Sequence, residues 1–361
     1  MPTSIEFVLA LAAILAAAAL FTNAVEILGG RLNLAQGAVG SVLAAVGTAL
    51  PETMIPIVAI LASVFAGAGS EESAEVGIGA ILGAPFMLTT LALFVVGVSI
   101  MASRRRRAYG TEMHIDEQAV GWDAGFFHSR KTHSTEVRVD EATIGRDMGF
   151  FLVFFAVAAG VGLVELPFLV KAAVAVLLVG GYAYYVRLTL ASGGRLEEVP
   201  EKLTLWPFGS RPPLLAVFIQ FVGALGIMVA GAHLFVDAVK HTAVSVGVPA
   251  GLIALVLAPL ATELPEKFNS VLWVRDGKDT LAFGNLTGAM VFQSTVPVAV
   301  GVLFTPWELG SLNLLSVALA LISGGFVYAI LKHPMQLRAV HLMACGAFYL
   351  AFVVAAVVAV T

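Results

Sequence analysis

Thr48-Ala49-Leu50-Pro51-Glu52 recurs 214 positions later as Thr262-Glu263-Leu264-Pro265-Glu266. Each copy lies inside a long apolar run, where a carboxylate is costly and marks a functional position by default. Each also has a proline directly before the acid, which removes a backbone donor and predicts a broken helix. Carbonyls freed by such a break are tolerated at membrane depth only where they are buried or line a cavity. Two broken helices at corresponding places in two halves point to a transporter's binding site.

The repeat extends well beyond five residues. Leu20-Phe21 falls on Leu234-Phe235, Ala24-Val25 on Ala238-Val239, Gly37 on Gly251 and Leu43-Ala44 on Leu257-Ala258, without a gap. After Glu52 the first copy is nine residues longer. At a displacement of 205, Gly79-x3-Gly83-Ala84 falls on Gly284-x3-Gly288-Ala289, and Thr90 on Thr295. Shared Pro, Glu and Gly in one register separate this match from the general likeness of apolar sequences.

The chain of 361 residues is 59% hydrophobic and 12% charged, the composition of a multi-span membrane protein. Runs long enough to span fall at 4–28, 37–66, 76–102, 147–164 and 167–190, then at 212–238, 246–274, 279–304, 309–331 and 336–360. The expected fold is therefore an all-α integral membrane protein of ten transmembrane helices. An odd number per half makes the two five-helix repeats inverted. Residues 1–102 hold helices 1 to 3, 103–146 a polar link, and 147–191 helices 4 and 5. Residues 192–211 form a second link, and 212–361 the second repeat with helices 6 to 10. The first run carries Glu6 and no Lys or Arg, so it is expected to be a transmembrane helix rather than a signal peptide. Cys345 is the only cysteine, which excludes an internal disulfide; it is expected to be buried in the last helix.

Charge orients the chain. In a ten-helix arrangement Arg31, Arg104 to Arg107, Arg130, Lys131, Arg138, Arg146, Arg195, Lys202, Arg211, Arg275, Lys278, Lys332 and Arg338 all fall on one side. The other side carries Glu71, Glu72, Glu75, Glu165 and Glu308, with only Lys171 and Lys240 as cations. The basic side, with the 103–146 link, is expected to be cytoplasmic and both termini outside the cell membrane. That link holds His114, His128 and His133 without metal-ligand spacing and reads as a solvated connection.

Hard cations such as Ca²⁺ take several oxygen ligands and mix carboxylates, carbonyls and hydroxyls. Two facing repeats would bring together the carboxylates of Glu52 and Glu266 as metal ligands, the hydroxyls of Thr48 and Thr262, and carbonyls at the helix breaks. The competing reading is a buried acid paired with a base; Lys267, next to Glu266 in sequence, does not face it on a helix. No enzyme or nucleotide motif is present. Neither catalysis, ATP coupling, a cofactor nor nucleic acid is therefore expected, and the partners are inorganic cations and the bilayer.

The two T-x-L-P-E stretches, each followed by G-x3-G in a third helix, resemble the alpha repeats of the sodium/calcium exchanger family, within the cation/calcium antiporter superfamily. The resemblance covers nearly the whole chain. It implies an antiporter exchanging Ca²⁺, or a similar cation, against Na⁺ or H⁺, with helices 1 and 6 moving against a core. It carries cation binding to Glu52, Glu266, Thr48 and Thr262. It adds the carbonyls of Ala45 and Pro259, and sodium-site positions at Val46 and Leu260. The family serine after threonine is Ala49 in one copy and Glu263 in the other. The asparagine after the first glycine is Ala80 and Asn285, and the polar ligand further on is Leu88 and Gln293. The implied site is thus lopsided toward the second half.

Glu263 stands three residues before Glu266, so the two can share a helix face. Three carboxylates at one buried site favour a proton on one of them, which makes H⁺ an alternative to Na⁺ as coupling ion. Asn23 and Asp237 correspond across the repeat and read either as capping residues or as the mouth of an ion path. His233 is expected to hydrogen-bond between helices, and Gly29, Gly30, Gly180 and Gly181 to permit close helix approach. Two rivals stand beside the antiporter: a non-transporting membrane sensor or scaffold that kept the fold, motivated by Leu88 and Ala49, and an intramembrane hydrolase using two buried acids.

Overall fold

The computed structural model describes residues 3–31, 50–65, 70–113, 135–191, 202–206, 212–275, 277, 279–333 and 335–360. The helices in order are α1 (Thr3–Arg31), α2 (Leu50–Phe65), α3 (Ser70–Met87), a π-helical stretch (Leu88–Ala92), α4 (Leu93–Met113), α5 (Glu141–Val161) and α6 (Phe168–Ala191). The second half follows with α7 (Leu214–Val246), α8 (Ala250–Arg275), α9 (Asp279–Gln293), α10 (Val296–Phe304), α11 (Ser311–Lys332) and α12 (Ala339–Val360). Among the described residues there is no strand, only an isolated bridge between Glu136 and Arg338.

Among the described residues seven helical stretches are long and apolar enough to cross a membrane: Glu71–Arg104, Glu141–Val161, Phe168–Thr189, Leu214–Val246, Ala282–Phe304, Ser311–Lys332 and Ala339–Ala359. Three shorter apolar ones are Glu6–Phe21, Glu52–Phe65 and Ala250–Leu260. Local chemistry sets several boundaries. Asp140 caps α5, its carboxylate accepting from Ala142 N at 3.2 Å and from the Thr143 hydroxyl at 2.6 Å. Those bonds favour the charged form, and the Thr143 hydroxyl foremost holds the Asp140 carboxyl below the usual carboxylate range. Gly247 ends α7 in the left-handed conformation at φ 71°, which glycine adopts without a Cβ penalty.

The apolar interior divides in two. The larger cluster joins α3 to α6 with α8 to α12, through Phe86, Phe151, Phe155, Phe283 and Trp307 among others. The smaller joins the α1–α7 pair, with Ala10, Ile14 and Ala17 of α1 and Ala224, Met228 and Ala232 of α7, to α2, α3 and α8 through Ile55, Val58, Ala80 and Ala254. Small residues let α1 and α7 close up, as membrane helices require in the absence of a hydrophobic drive between them.

α3 crosses α8 at backbone distance. A Cβ on Gly79 would run into the carbonyl oxygen of Gly251, and one on Gly83 into that of Leu255. For the second G-x3-G, a Cβ on Gly288 would sit 3.8 Å from the Tyr185 hydroxyl; residues 32–49, which hold Gly37, the counterpart of Gly251, lie outside the described residues.

Several expectations need correction. Pro265 does not break its helix, since α8 runs unbroken from Ala250 to Arg275 through Pro259 and Pro265. Pro51 lies in the opening turn of α2 as described, where a missing N–H costs little. The interruptions come one span later, at the π-helical Leu88–Ala92 and at the turn Ser294–Thr295 between α9 and α10. The 103–146 link is shorter than expected: α4 continues to Met113 and α5 starts at Glu141. Its last residues are pinned, with Val137 N donating to Leu337 O at 2.9 Å and Arg138 N to an Asp279 carboxylate oxygen at 2.9 Å. His114, His128 and His133 lie outside the described residues. Gly181 packs against Phe154, but a Cβ on Gly180 would meet open space; the surroundings of Gly29 and Gly30 are outside the described residues. His233 is exposed and makes no hydrogen bond among the described residues. Cys345 is buried, as expected.

The crossing yields a direct test. Gly83→Ala should destabilise the purified protein in detergent by several degrees of melting temperature, because the opposing atom is backbone and cannot rotate away. Gly180→Ala, on an exposed face of α6, should leave the melting temperature within error. Equal tolerance at both positions would contradict the close α3–α8 contact.

Candidate cation site

Glu52 stands in the first turn of α2 and is buried. Its Oε1 accepts a hydrogen bond from Gln293 Nε2 at 3.0 Å, across 241 residues of chain. Gln293 is only 2% exposed and is the last residue of α9, immediately before the break. The carboxylate of one repeat therefore meets the amide of the other inside the bundle. The other amide oxygen, Gln293 Oε1, is buried and accepts no hydrogen bond among the described residues. A buried amide oxygen so placed can receive a donor or a cation.

Two backbone carbonyls lack their usual helix donors at the same place. Pro56 stands four residues after Glu52, and Pro297 four after Gln293. Proline has no N–H, so neither carbonyl receives the usual intrahelical bond. The two interruptions also correspond across the repeat, for the displacement of 205 that sets Leu88 on Gln293 sets the π-helical stretch on the turn. π-bulges of this kind gather at functional sites. Hydroxyls stabilise both. Thr89 donates to Pro85 O at 2.8 Å and Thr90 to Phe86 O at 2.5 Å; Thr295 donates to Val291 O at 2.8 Å. From α11, Ser323 donates to Thr89 O at 2.6 Å.

α8 contributes Thr262 and Glu263, both 0% exposed. The Thr262 hydroxyl donates to Ala258 O at 2.9 Å, leaving its lone pairs for a further donor or a cation. Pro259 is buried and abuts Gly83, whose Cβ would lie 2.8 Å from its ring. Asn285 is half-buried on α9, eight residues before Gln293 and so about 12 Å away along the axis. It is not part of the Glu52–Gln293 contact. Glu266 lies within α8, but its side chain falls outside the described residues, as do Thr48, Ala45 and Val46 entirely. Among the described residues no group of three or more His, Cys, Asp or Glu is placed to hold a metal. Leu88 is fully buried, and Thr89 and Thr90 beside it direct their protons to their own helix. Asn23, one of the two-way readings, is a fastener: it accepts from Thr204 N at 2.8 Å and from Gln220 Nε2 at 3.0 Å. Its counterpart Asp237 is exposed.

The profile of the family described as "Sodium/calcium exchanger protein" matches residues 4–191 and 216–360. The chain belongs to the sodium/calcium exchanger family. Among curated proteins it is similar to one bearing the antiporter name CaxA, from Alkalimonas amylolytica, at 26% identity over 36% of this chain and 41% of that protein. It is also similar to an uncharacterized membrane protein of Methanocaldococcus jannaschii, at 27% identity over 34% of this chain and 39% of that protein. The chain thus aligns with about two fifths of the length of each of these relatives. In fold, this exchanger-family chain is similar to the H⁺/Ca²⁺ exchanger CAX, with TM-score 0.69 and 19% identity, covering 98% of this chain and 81% of that one. For YfkE the values are 0.66 and 12%, over 99% and 93% of the two chains. For the sodium-calcium exchanger NCX_Mj they are 0.55 and 19%, over 98% and 97%.

Sequence reasoning missed two buried acids, Asp279 at the start of α9, 1% exposed, and Asp147. Asp147 is 2% exposed on α5, on the same face as Ile144 and Phe151. It accepts from the Thr287 hydroxyl of α9 at 3.0 Å and pairs with Arg146 at 3.2 Å. Arg146 also donates to the Thr189 hydroxyl of α6 at 3.2 Å. The spacing Ile144-x2-Asp147-x3-Phe151 was the available signal, since it puts the acid in an apolar stripe. Breaking such a pair leaves a charge without its partner. Asp147→Ala should cost about 3 kcal/mol and Thr287→Val about 1 kcal/mol in detergent unfolding. Adding Arg146→Met to Asp147→Ala should restore part of the loss; strict additivity would show that the pair is not coupled.

Proposed function

We propose that this exchanger-family protein is a secondary antiporter that carries Ca²⁺, or a similar cation, against Na⁺ or H⁺ by alternating access. The observation that carries the reading is the buried Glu52–Gln293 contact, which joins the two repeats beside two interrupted spans. In this reading Glu52 and Glu266 bind the cation. Thr48, Thr262, Gln293 and the carbonyls of Ala45 and Pro259 complete its shell. Glu263 adds charge, and Asn285 lines the approach. A bound dication would displace the Gln293 N–H from Glu52, and a half-turn of the amide would present Oε1 instead.

In this reading α1 and α7, which pack along each other, are the moving part. Ala49 and Leu88 remove two oxygen ligands that the family pattern supplies, and Glu263 adds a fully buried acid. Both favour H⁺ in place of, or alongside, Na⁺. The CAX and NCX_Mj structures carry both ions in their names and so supply the alternatives to test.

The experiment is radiolabelled Ca²⁺ uptake into proteoliposomes, driven by a pH gradient alone and by a sodium gradient alone. Wild-type protein should respond to the pH gradient, and Glu263→Ser should lose much of that response. Glu52→Gln and Glu266→Gln, which keep shape and remove charge, should each bring uptake to background with normal insertion. Near-normal uptake in both variants would remove the proposed site, and uptake driven only by sodium would remove proton coupling.

A further inference from the structure

The apolar run through α3 and α4 closes at Arg104, where the chain turns strongly basic with Arg105, Arg106 and Arg107. Just before that point α4 lies hard against α12. A Cβ on Gly97 would be 2.8 Å from Ala339 O and 2.9 Å from both Leu342 Cβ and Met343 N. One turn further toward the basic end the two helices leave a cavity of about 510 Å³, lined by Val98, Met101, Ala102, Arg104 and Met343. That volume is within the range of ligand sites. The side chains on its floor, Val98, Met101, Ala102 and Met343, are apolar, and among the described residues its charge is the guanidinium at the rim.

Arg104 is exposed, and among the described residues no carboxylate pairs with it. Its polar contact is the Met101 sulfur, 3.9 Å from Nη1, which lays the side chain along the floor. The neighbouring surface is apolar as well, with Val98 39%, Val340 58% and Met335 50% exposed, as for residues that face acyl chains. Arg338, just before α12, is a second exposed cation.

We propose that this α4–α12 groove binds one anionic phospholipid. An acyl chain covers Val98, Met101, Ala102 and Met343, and the phosphodiester meets Arg104. A guanidinium suits that role, because its planar fork donates two parallel hydrogen bonds to phosphate oxygens. A run of arginines directly beyond a membrane helix favours anionic over zwitterionic headgroups. The apolar floor distinguishes the occupant from free phosphate, which would gain nothing from it. The site lies apart from Glu52 and Gln293, and the proposal is independent of the ion carried.

The test uses the full chain in a neutral detergent, with bound lipid counted by native mass spectrometry and melting temperature followed by tryptophan fluorescence. The probes are phosphatidylglycerol, phosphatidylcholine and glycerol phosphate. Phosphatidylglycerol should bind as one retained molecule and raise the melting temperature, while the other two should do neither. Arg104→Gln should weaken phosphatidylglycerol binding about fivefold, the factor corresponding to about 1 kcal/mol for one arginine near an anionic surface. Ala102→Trp should fill the groove and abolish retention with every arginine in place. Equal retention of phosphatidylcholine would overturn the anionic preference. The same shift from glycerol phosphate would make it a phosphate site. Undiminished binding in both variants would place the lipid elsewhere.

Discussion

A carboxylate kept from water inside an apolar bundle needs a hydrogen-bonding partner, and Glu52 finds one in Gln293, at the far end of the chain. That contact fixes what surrounds it. Gln293 reaches Glu52 from the last position of a helix that stops there, and the stop depends on Ser294 and Thr295 turning their hydroxyls back onto the preceding turn. Glu52 is presented by the opening turn of α2, which is held between α3 and α7. An amide donor in this place satisfies the acid without neutralising it.

The two G-x3-G spans enter through different contacts. Gly79 and Gly83 bring the α3 backbone onto carbonyls of α8, and the carbonyl under Gly83 belongs to Leu255, four residues before Pro259. A helix that would otherwise carry an unsatisfied carbonyl packs it against a residue without a side chain. The second span contributes polar groups: Thr287 bonds Asp147, and Gln293 bonds Glu52.

Much of this was legible in the sequence because it rests on composition and spacing. The apolar runs placed the apolar part of the described helices, though α4 extends to Met113 and α7 to Val246, past the expected ends at 102 and 238. The register of Pro, Glu and Gly picked out Gln293 as the polar counterpart of Leu88. The position of the helix breaks was not legible. Proline only removes a donor, and whether a helix yields depends on what packs beside it; Pro259 and Pro265 are carried within α8, while the breaks fall in spans where threonines rebond the backbone. Asp147 escaped because it borders a polar link, where an acid reads as solvated. Its burial depends on Thr287 and Thr189, which belong to other helices and bear no sequence relation to it. His233 misled for the converse reason, since a polar residue in an apolar helix can as well face outward.

The contact between the repeats is most directly tested by equilibrium binding of radiolabelled Ca²⁺ to the purified protein in detergent, for wild-type, Glu52→Gln, Gln293→Leu and the double variant. If the two side chains form one site, each single variant weakens binding at least tenfold, and the double variant is no weaker than Glu52→Gln alone. Losses that simply multiply in the double variant, or unchanged affinity in Gln293→Leu, would contradict a shared site.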